Sequence, residues 1–436
     1  MTPQARSNSS SSFSKHSIED AEKSAQAAPV SKDDGSAFGP APDGGTTAWL
    51  NAFGGFCIFF GCLGFTSCFG VLQEYYGTHQ LKNYSASDIA WIGSVSNFIQ
   101  FSGGAISGSM FDRFGINILR VSAILYIFGL MMTSLCTEYY QFMLAQGLVM
   151  GSAVACLQFP AFAIVAQYFD KKRAAAMGIT ASGSSIGGII FPLILSKLLN
   201  GSSIGFGWSI RIIGFIILPF FLLAIMILKP RVPPRKANIF IGAAWKDIKY
   251  CLLIAGMFFM MMGMWTPIFF MPSYAVSRGM GVTLAGNLLA IINATSTLGR
   301  IIPGILADKF GKLNLFGLAG IATGIMVFCF DEPKTNAGLI IYVIFFGFTS
   351  GAIISSASVA ISLCTKDPRN LGTYMGMGMG LAAFATLAGP PISGALLERY
   401  GGYSQVAIFG GTLCVFGGLV VLSSKFVVPE GIMGKV

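Results

Sequence analysis

GSMFDRFG at residues 108–115 returns as GILADKFG at residues 304–311, and each copy closes a long apolar run. Asp112 and Asp308 stand 196 residues apart; Met177 and Met375, Gly178 and Gly376, and Pro192 and Pro390 each stand 198 apart. Landmarks that repeat at nearly one offset over most of a chain point to a duplicated unit. What the unit is made of follows from the segments between the landmarks.

Those segments are apolar blocks of about 20 residues, each long enough to cross ~30 Å of hydrocarbon. The 436-residue chain is 54% hydrophobic and only 11% charged, with a mean hydropathy of +0.69; an ordinary soluble domain carries about 25% charged residues. Backbone groups in lipid must be satisfied within the segment, so the blocks read as α-helices. Segments of alternating polarity, as in a membrane β-barrel, are not seen. Spans are expected at 48–74, 88–110, 117–136, 141–167, 174–199, 207–229, 249–274, 283–306, 313–331, 337–364, 371–397 and 403–427. The fold class is therefore an all-α integral membrane protein of twelve transmembrane helices in two six-helix parallel pseudo-repeats. The expected division is a disordered cytosolic tail at 1–42, a first half at 43–229, a cytosolic linker at 230–248, a second half at 249–428 and a short tail at 429–436. Parallel repeats suit a carrier whose site lies between the halves.

Charge sets the expected orientation. Fifteen Lys and Arg stand in or beside the loops after even-numbered spans, and five in the loops after odd-numbered ones. Positive residues favour the inside, which puts both termini in the cytosol. The sequons at Asn83 and Asn200 then fall in outer loops and are candidate N-glycosylation sites. The plasma membrane is the expected location, with a vacuolar or other internal membrane as the alternative. The +10 net charge thus reads as topology and gives no nucleic-acid footprint. The nine cysteines form no CxxC or Cys/His cluster, so no metal or cofactor is expected.

GSMFDRFGINIL resembles the loop between spans 2 and 3 of the major facilitator superfamily. That resemblance implies the major facilitator fold and a gating role at the cytosolic mouth for Asp112 and Arg113, and for Asp308 and Lys309 in the second copy. A solvated turn is the plainer alternative. PDGGTTAW (42–49) with YFDKKRAAAMGITASG (168–183) is similar to the two diagnostic motifs of the monocarboxylate transporter family, with Trp49 one residue late. GFTSGAIISSASVAISLCTKDPRNLGTYMGMGMG (347–380) with GPPISGALLERYGG (389–402) resembles its fungal branch. Animal members of that family that carry lactate use a lysine in span 1 and an aspartate and arginine one turn apart in span 8. Here the arginine is Arg300, while Ser296 and Val71 occupy the other two positions. YFDKKR followed by Gly, Ser and Ala lacks the lysine–serine end of a phosphate loop. It reads as a cytosolic turn entering a close-packed helix.

Arg300 lies within an apolar span, where a cation costs about 2.5–3.5 kcal/mol and tends to face a cavity or partner. NATSTLGR puts Asn293, Ser296 and Arg300 close to one helical face. Snorkelling of Arg300 to the headgroups is the alternative. Asn97, Gln100, Gln158, Trp265 and Tyr374 complete the candidate substrate cavity, an amide and aromatic lining that suits an amphipathic organic molecule. Each of these side chains serves equally as a helix–helix contact. Glu74 is the candidate proton site, against a helix-end role.

No catalytic constellation appears, so the chain is not read as an enzyme. The expected function is secondary active or facilitative transport of a small organic compound by alternating access: an organic anion, a vitamin or a secondary metabolite, with export as an option. Proton-coupled monocarboxylate uptake is the alternative, and a transporter-like membrane sensor a distant one. The expected partners are a small-molecule substrate and the lipid bilayer, without nucleic acid; an accessory membrane partner is left unidentified.

Overall fold

The computed structural model describes residues 42–169, 172–201, 203–231, 241–361, 363–364 and 371–427. The expected tail up to Ala41, the linker residues 232–240 and the C-terminal residues 428–436 lie outside the described residues. Among the described residues the chain is all helix, in twelve passes. Span 1 is Thr46–Thr66 followed by Phe69–Thr78, span 2 Ala86–Phe114 and span 3 Asn117–Thr133. Span 4 runs from Tyr139–Phe142 through Met143–Met150 to Gly151–Ala166. Spans 5 and 6 are Arg173–Asn200 and Phe206–Ile227. Spans 7 to 12 are Ile248–Ser277, Val282–Phe310, Lys312–Phe328, Asn336–Ile361, Leu371–Tyr400 and Ser404–Ser423.

Ten of these segments are long and apolar enough to cross a membrane. Span 3 has only 17 residues, about 26 Å at the helical rise. Span 2 has 29 residues, but it buries the polar side chains of Ser94, Asn97, Gln100 and Ser107. Its polarity faces protein, so low hydropathy and membrane depth coexist.

The ends of the helices follow local chemistry. Ser85 and Asp88 form a reciprocal cap on span 2: the Asp88 N–H donates to Ser85 Oγ at 3.0 Å, and the Ser85 N–H donates to Asp88 Oδ2 at 3.2 Å. Asp88 thus serves as the capping residue of span 2. The last glycine of each repeated motif also has a defined task. Gly115 has φ +59° and Gly311 has φ +90°, a backbone state that L side chains rarely adopt. Each turns the chain from one span into the next.

Two irregularities interrupt the spans. Span 1 breaks at Ser67–Cys68, where Cys68 N–H bonds Phe65 O at 2.9 Å and Val71 N–H bonds Cys68 O at 2.9 Å. In span 4, Met143–Met150 is a π-helical stretch. Both segments are mostly apolar, with only isolated polar side chains such as Thr66, Ser67 and Gln146, so mean hydropathy carries no trace of either change.

The end at which Thr78, Asn200, Ser277 and Tyr400 close their helices is termed the far end; Pro42 and Val427 lie at the near end. At the near end the two motifs PDGGTTAW and YFDKKR meet. Asp43 N–H donates to Tyr168 O at 3.1 Å, Lys172 N–H donates to Asp43 Oδ1 at 3.3 Å, and the Trp49 and Phe169 rings are 4.9 Å apart. The exit of span 6 is tied to the same knot. Lys229 N–H donates to Asn51 Oδ1 at 2.9 Å, and Tyr168 OH donates to Lys229 O at 2.8 Å.

Spans 1 to 6 and spans 7 to 12 each pack together, and the two groups meet extensively through spans 2 and 11 and spans 5 and 8. Lipid gives apolar surfaces little reason to associate, so close packing has to hold the helices together. Span 12 illustrates the solution. Its paired glycines divide between two neighbours seven residues at a time. Gly410 and Gly417 meet Gly263 and Gly256 of span 7, while Gly411 and Gly418 meet Gly324 and Gly317 of span 9. A methyl on Gly417 would lie 2.5 Å from Gly256 O, and one on Gly256 would lie 2.7 Å from Gly417 O. Gly417→Ala is therefore expected to cost about 1–3 kcal/mol, read as a lower melting temperature of the purified protein by size-exclusion fluorescence. Gly380→Ala, with nothing within 4 Å of the added methyl, is expected to melt like the unmodified chain.

Candidate functional site

Three seams join spans 1–6 to spans 7–12 at the far end. In the first, Ser87 Oγ of span 2 donates to Pro391 O of span 11 at 2.8 Å, and a methyl on Gly394 would meet Ser87 Cα at 2.6 Å. In the second, Ser196 Oγ of span 5 donates to Thr283 O of span 8 at 2.9 Å, and Gly286 faces Ser196 Oγ. In the third, Phe69 of span 1 lies 4.8 Å from Phe269 of span 7, and a methyl on Gly70 would come 2.6 Å from Ile268 O. The first two are related by the internal repeat: Ser87 and Thr283 are 196 residues apart, and Ser196 and Gly394 are 198 apart. Each of these two combines one serine hydroxyl, one carbonyl and one glycine.

The spans 5 and 8 continue side by side toward the middle. A methyl on Gly188 would lie 2.7 Å from Asn293 Oδ1. Two turns further, Arg300 Nη1 donates to Ser184 Oγ at 3.3 Å. Arg300 stands ten residues before the last residue of span 8, Phe310, about 15 Å along the axis. That position lies well inside the helix, away from both of its ends. Its Nε is buried without a hydrogen-bond partner, and no carboxylate among the described residues pairs with it. A half-buried cation held only by a hydroxyl attracts an acceptor-rich or anionic group.

Ser296 does not share this face. It is buried against Gly351 of span 10, its Oγ 2.8 Å from the position of a Gly351 methyl. At about 100° per residue, Ser296 is turned some 60° from Asn293, while Arg300 is turned only about 20°. Asn293 and Arg300 therefore face span 5, and Ser296 faces its neighbour.

The remaining candidates divide among three places. Gln100 Nε2 donates to Gln158 Oε1 at 3.0 Å, linking spans 2 and 4; Gln100 Oε1 is buried without a partner. Trp265 lies 6.5 Å from Phe101 across the seam, its indole N–H also without a partner, and Phe98 meets Phe384 at 5.0 Å. These two ring pairs form an aromatic band from span 2 to spans 7 and 11, with Phe384 itself 53% exposed. Tyr374 is nearer the near end, with its carbonyl accepting from Tyr250 OH at 2.8 Å. Asn97 lines a small cavity among spans 1, 2 and 4.

Among the gating candidates, Arg113 is exposed and lies 5.4 Å from the centre of the Phe114 ring. The side chains of Asp112, Asp308 and Lys309 lie outside the described residues. Glu74 is buried in the last turn of span 1 at the far end, some distance along the chain from Arg300. Asn83 is exposed, whereas the Nδ2 of Asn200, the atom that would carry a glycan, is buried without a partner.

Sequence reasoning passed over Ser184 and Gly188 because they sit in a run of small residues, and Ser196 because it is a lone hydroxyl among mostly apolar residues. Their spacing was the available signal: 184, 188, 192 and 196 recur every four residues, in a row that winds slowly round the helix. Ser87 had no such signal, since its partner is 304 residues away.

Comparison with known proteins places this geometry in a family. Residues 52–333 and 282–432 match the model of the Major Facilitator Superfamily. The chain is similar to the aspyridones efflux protein apdF of Emericella nidulans, 47% identical over 90% of this chain and 80% of that protein. It is also similar to the fujikurins efflux protein of Gibberella fujikuroi, 37% identical over 89% and 84%, and to the agnestins efflux protein AgnL12 of Paecilomyces divaricatus, 35% identical over 89% of each chain. In fold it resembles the nucleoside transporter NupG, with a TM-score of 0.67 at 14% identity over 87% of this chain and 98% of that one. The D-xylose-proton symporter also scores 0.67, at 16% identity over 86% and 96%. The chain belongs to the Major Facilitator Superfamily: it is a twelve-helix membrane transporter of small molecules, not an enzyme.

Proposed function

We propose that this transporter exports an amphipathic, aromatic organic anion of the fungal secondary-metabolite class. The relatives named for efflux of aspyridones, fujikurins and agnestins support export of such compounds. The observation that carries the anionic reading is Arg300: a mid-span cation whose partner is the Ser184 hydroxyl and whose Nε has none. The band of Phe98, Phe101, Trp265 and Phe384 supplies the aromatic surface. Proton-coupled monocarboxylate uptake draws less support. Val71 stands where the resembling carriers have a lysine, and Ser296, at the aspartate position, packs on span 10.

In this reading the halves 43–229 and 249–428 rock about the central site, with both termini in the cytosol of a plasma-membrane protein. The seams at Ser87, Ser196 and Phe69 close the outer side, and Asp112, Arg113, Asp308 and Lys309 work the cytosolic gate. Among the described residues, all three hydrogen bonds between the two helix groups lie at the far end or midway. That arrangement supports a conformation closed outside. Hydroxyl-to-carbonyl contacts suit a gate, because each is worth only ~1 kcal/mol net.

Three outcomes test this reading. Metabolite profiling of cells and medium should show the cargo retained inside cells that lack the gene. Restoring the gene should return it to the medium, and the Arg300→Gln form should export it at least about tenfold more slowly, the effect of ~1.4 kcal/mol; export at the unmodified rate would remove the anion-binding role. Gly394→Val should hold the outer seam apart. A cysteine replacing Leu289, which is 1% exposed, should then react about tenfold faster with an impermeant maleimide; unchanged labelling would show that this seam is not the gate. Finally, Asn83→Gln should abolish the glycosidase-sensitive mass of the protein made in a glycosylating host, and Asn200→Gln should leave it intact.

A further inference from the structure

We propose that the cavity among spans 1, 2 and 4 is a binding site for one water molecule, and that this water is the hinge on which span 1 bends. The cavity has a volume of about 20 Å³ and is lined by Thr66, Ser96, Asn97 and Gln146 together with apolar side chains. A single water needs roughly 10–15 Å³ measured this way and two to four polar partners. Both conditions are met.

Asn97 carries the need for a ligand. It is only 3% exposed, yet none of the hydrogen bonds of the described residues involves its side chain. An amide buried in this way is costly unless something answers it. The other polar groups leave complementary positions open. Gln146 Oε1 already accepts from Tyr76 OH at 2.9 Å, which leaves its N–H groups to donate. Thr66 Oγ1 already donates to Cys62 O at 2.9 Å, which leaves its lone pairs to accept. The ligand must therefore accept from one amide and donate to a hydroxyl or amide oxygen. Water does both. A bare cation would face the amide hydrogens, and an anion would find no positive side chain in the lining.

The backbone supplies a second, independent observation. The cavity lies where span 1 is broken at Ser67–Cys68 and where span 4 is π-helical over Met143–Met150. Two irregular backbones meet at one polar cavity within otherwise apolar helices. Irregular backbone at membrane depth is stable where it is buried in protein or lines water, and π-helical turns concentrate at functional sites. The bend has a mechanical consequence. It directs the second piece of span 1 so that Phe69 packs on Gly93 and reaches Phe269 in the opposite helix group. The water thus sets the direction of one of the three far-end seams, whatever the cargo is.

The test is a cryo-EM structure of the full chain in a nanodisc, at a resolution that shows ordered waters. One isolated peak is expected within about 2.7–3.2 Å of the Asn97 amide and of at least one group of Gln146, Thr66 or Ser96. An empty cavity, an Asn97 amide turned onto a protein group, or a peak with the short oxygen contacts of a metal ion would overturn the proposal. Thermal melting gives a readout with opposite signs. If the site holds water, Asn97→Leu removes its partner and lowers the melting temperature by about 2 °C or more, while Asn97→Ser retains the peak. If the site is dry, Asn97→Leu removes an unmet polar group and raises the melting temperature, which would refute the hinge.

Discussion

Hydrocarbon offers neither a hydrogen-bond partner for a backbone nor a reason for two apolar helices to meet. The helices of this transporter hold together by bringing main chains close, and glycine is what makes that approach possible. Gly64 and Gly187 join spans 1 and 5, Gly256 and Gly417 join spans 7 and 12, and Gly317 and Gly418 join spans 9 and 12. In each pair glycine faces glycine, so the contact is backbone on backbone over its length. Such seams have no soft element and are suited to staying closed.

The seams between the two helix groups use the same device differently. There Gly286 faces the Ser196 side chain and Gly188 the Asn293 side chain, while Gly394 lies against the main chain of Ser87. A hydroxyl then bonds a carbonyl across the gap, as Ser87 does with Pro391 and Ser196 with Thr283. A hydroxyl that loses this partner can turn to its own helix or to water, so parting the seam leaves little unsatisfied. Two of the contacts between the groups thus add to the close approach a hydroxyl that can be satisfied twice. Arg300 lies at the inner limit of the separable seam, where only Ser184 answers it. Motion between the groups and charge at the site are therefore set by the same pair of helices.

Much of this was legible from residues taken singly or at fixed spacing. The paired motifs ending in Gly115 and Gly311 marked both the duplication and the turns that need positive φ. Arg300 stood out because charge is rare in apolar segments, and the expected spans lie within a few residues of the helices. Ser296 shows the limit: being three residues from Asn293 put it near the candidate face, and the remaining 60° of rotation put it on span 10 instead. The break in span 1 and the π-helical stretch of span 4 had no periodic signature, since isolated polar residues such as Ser67 and Gln146 do not mark a change of backbone. The contact between PDGGTTAW and YFDKKR was foreshadowed only in that both motifs were singled out separately.

The sequence by itself determined the class, the number of helices and the repeat, because hydrophobic length and local backbone chemistry act over one or two helical turns. It also determined which residues are chemically unusual in lipid: Arg300, Asn97 and the Gln100–Gln158 amides. Tertiary structure alone decided which of these meet. Ser184 reaches Arg300 across 116 residues, and Ser87 reaches Pro391 across 304. Such partners depend on helix rotation and on where a glycine permits close approach between distant segments, and no local pattern encodes either.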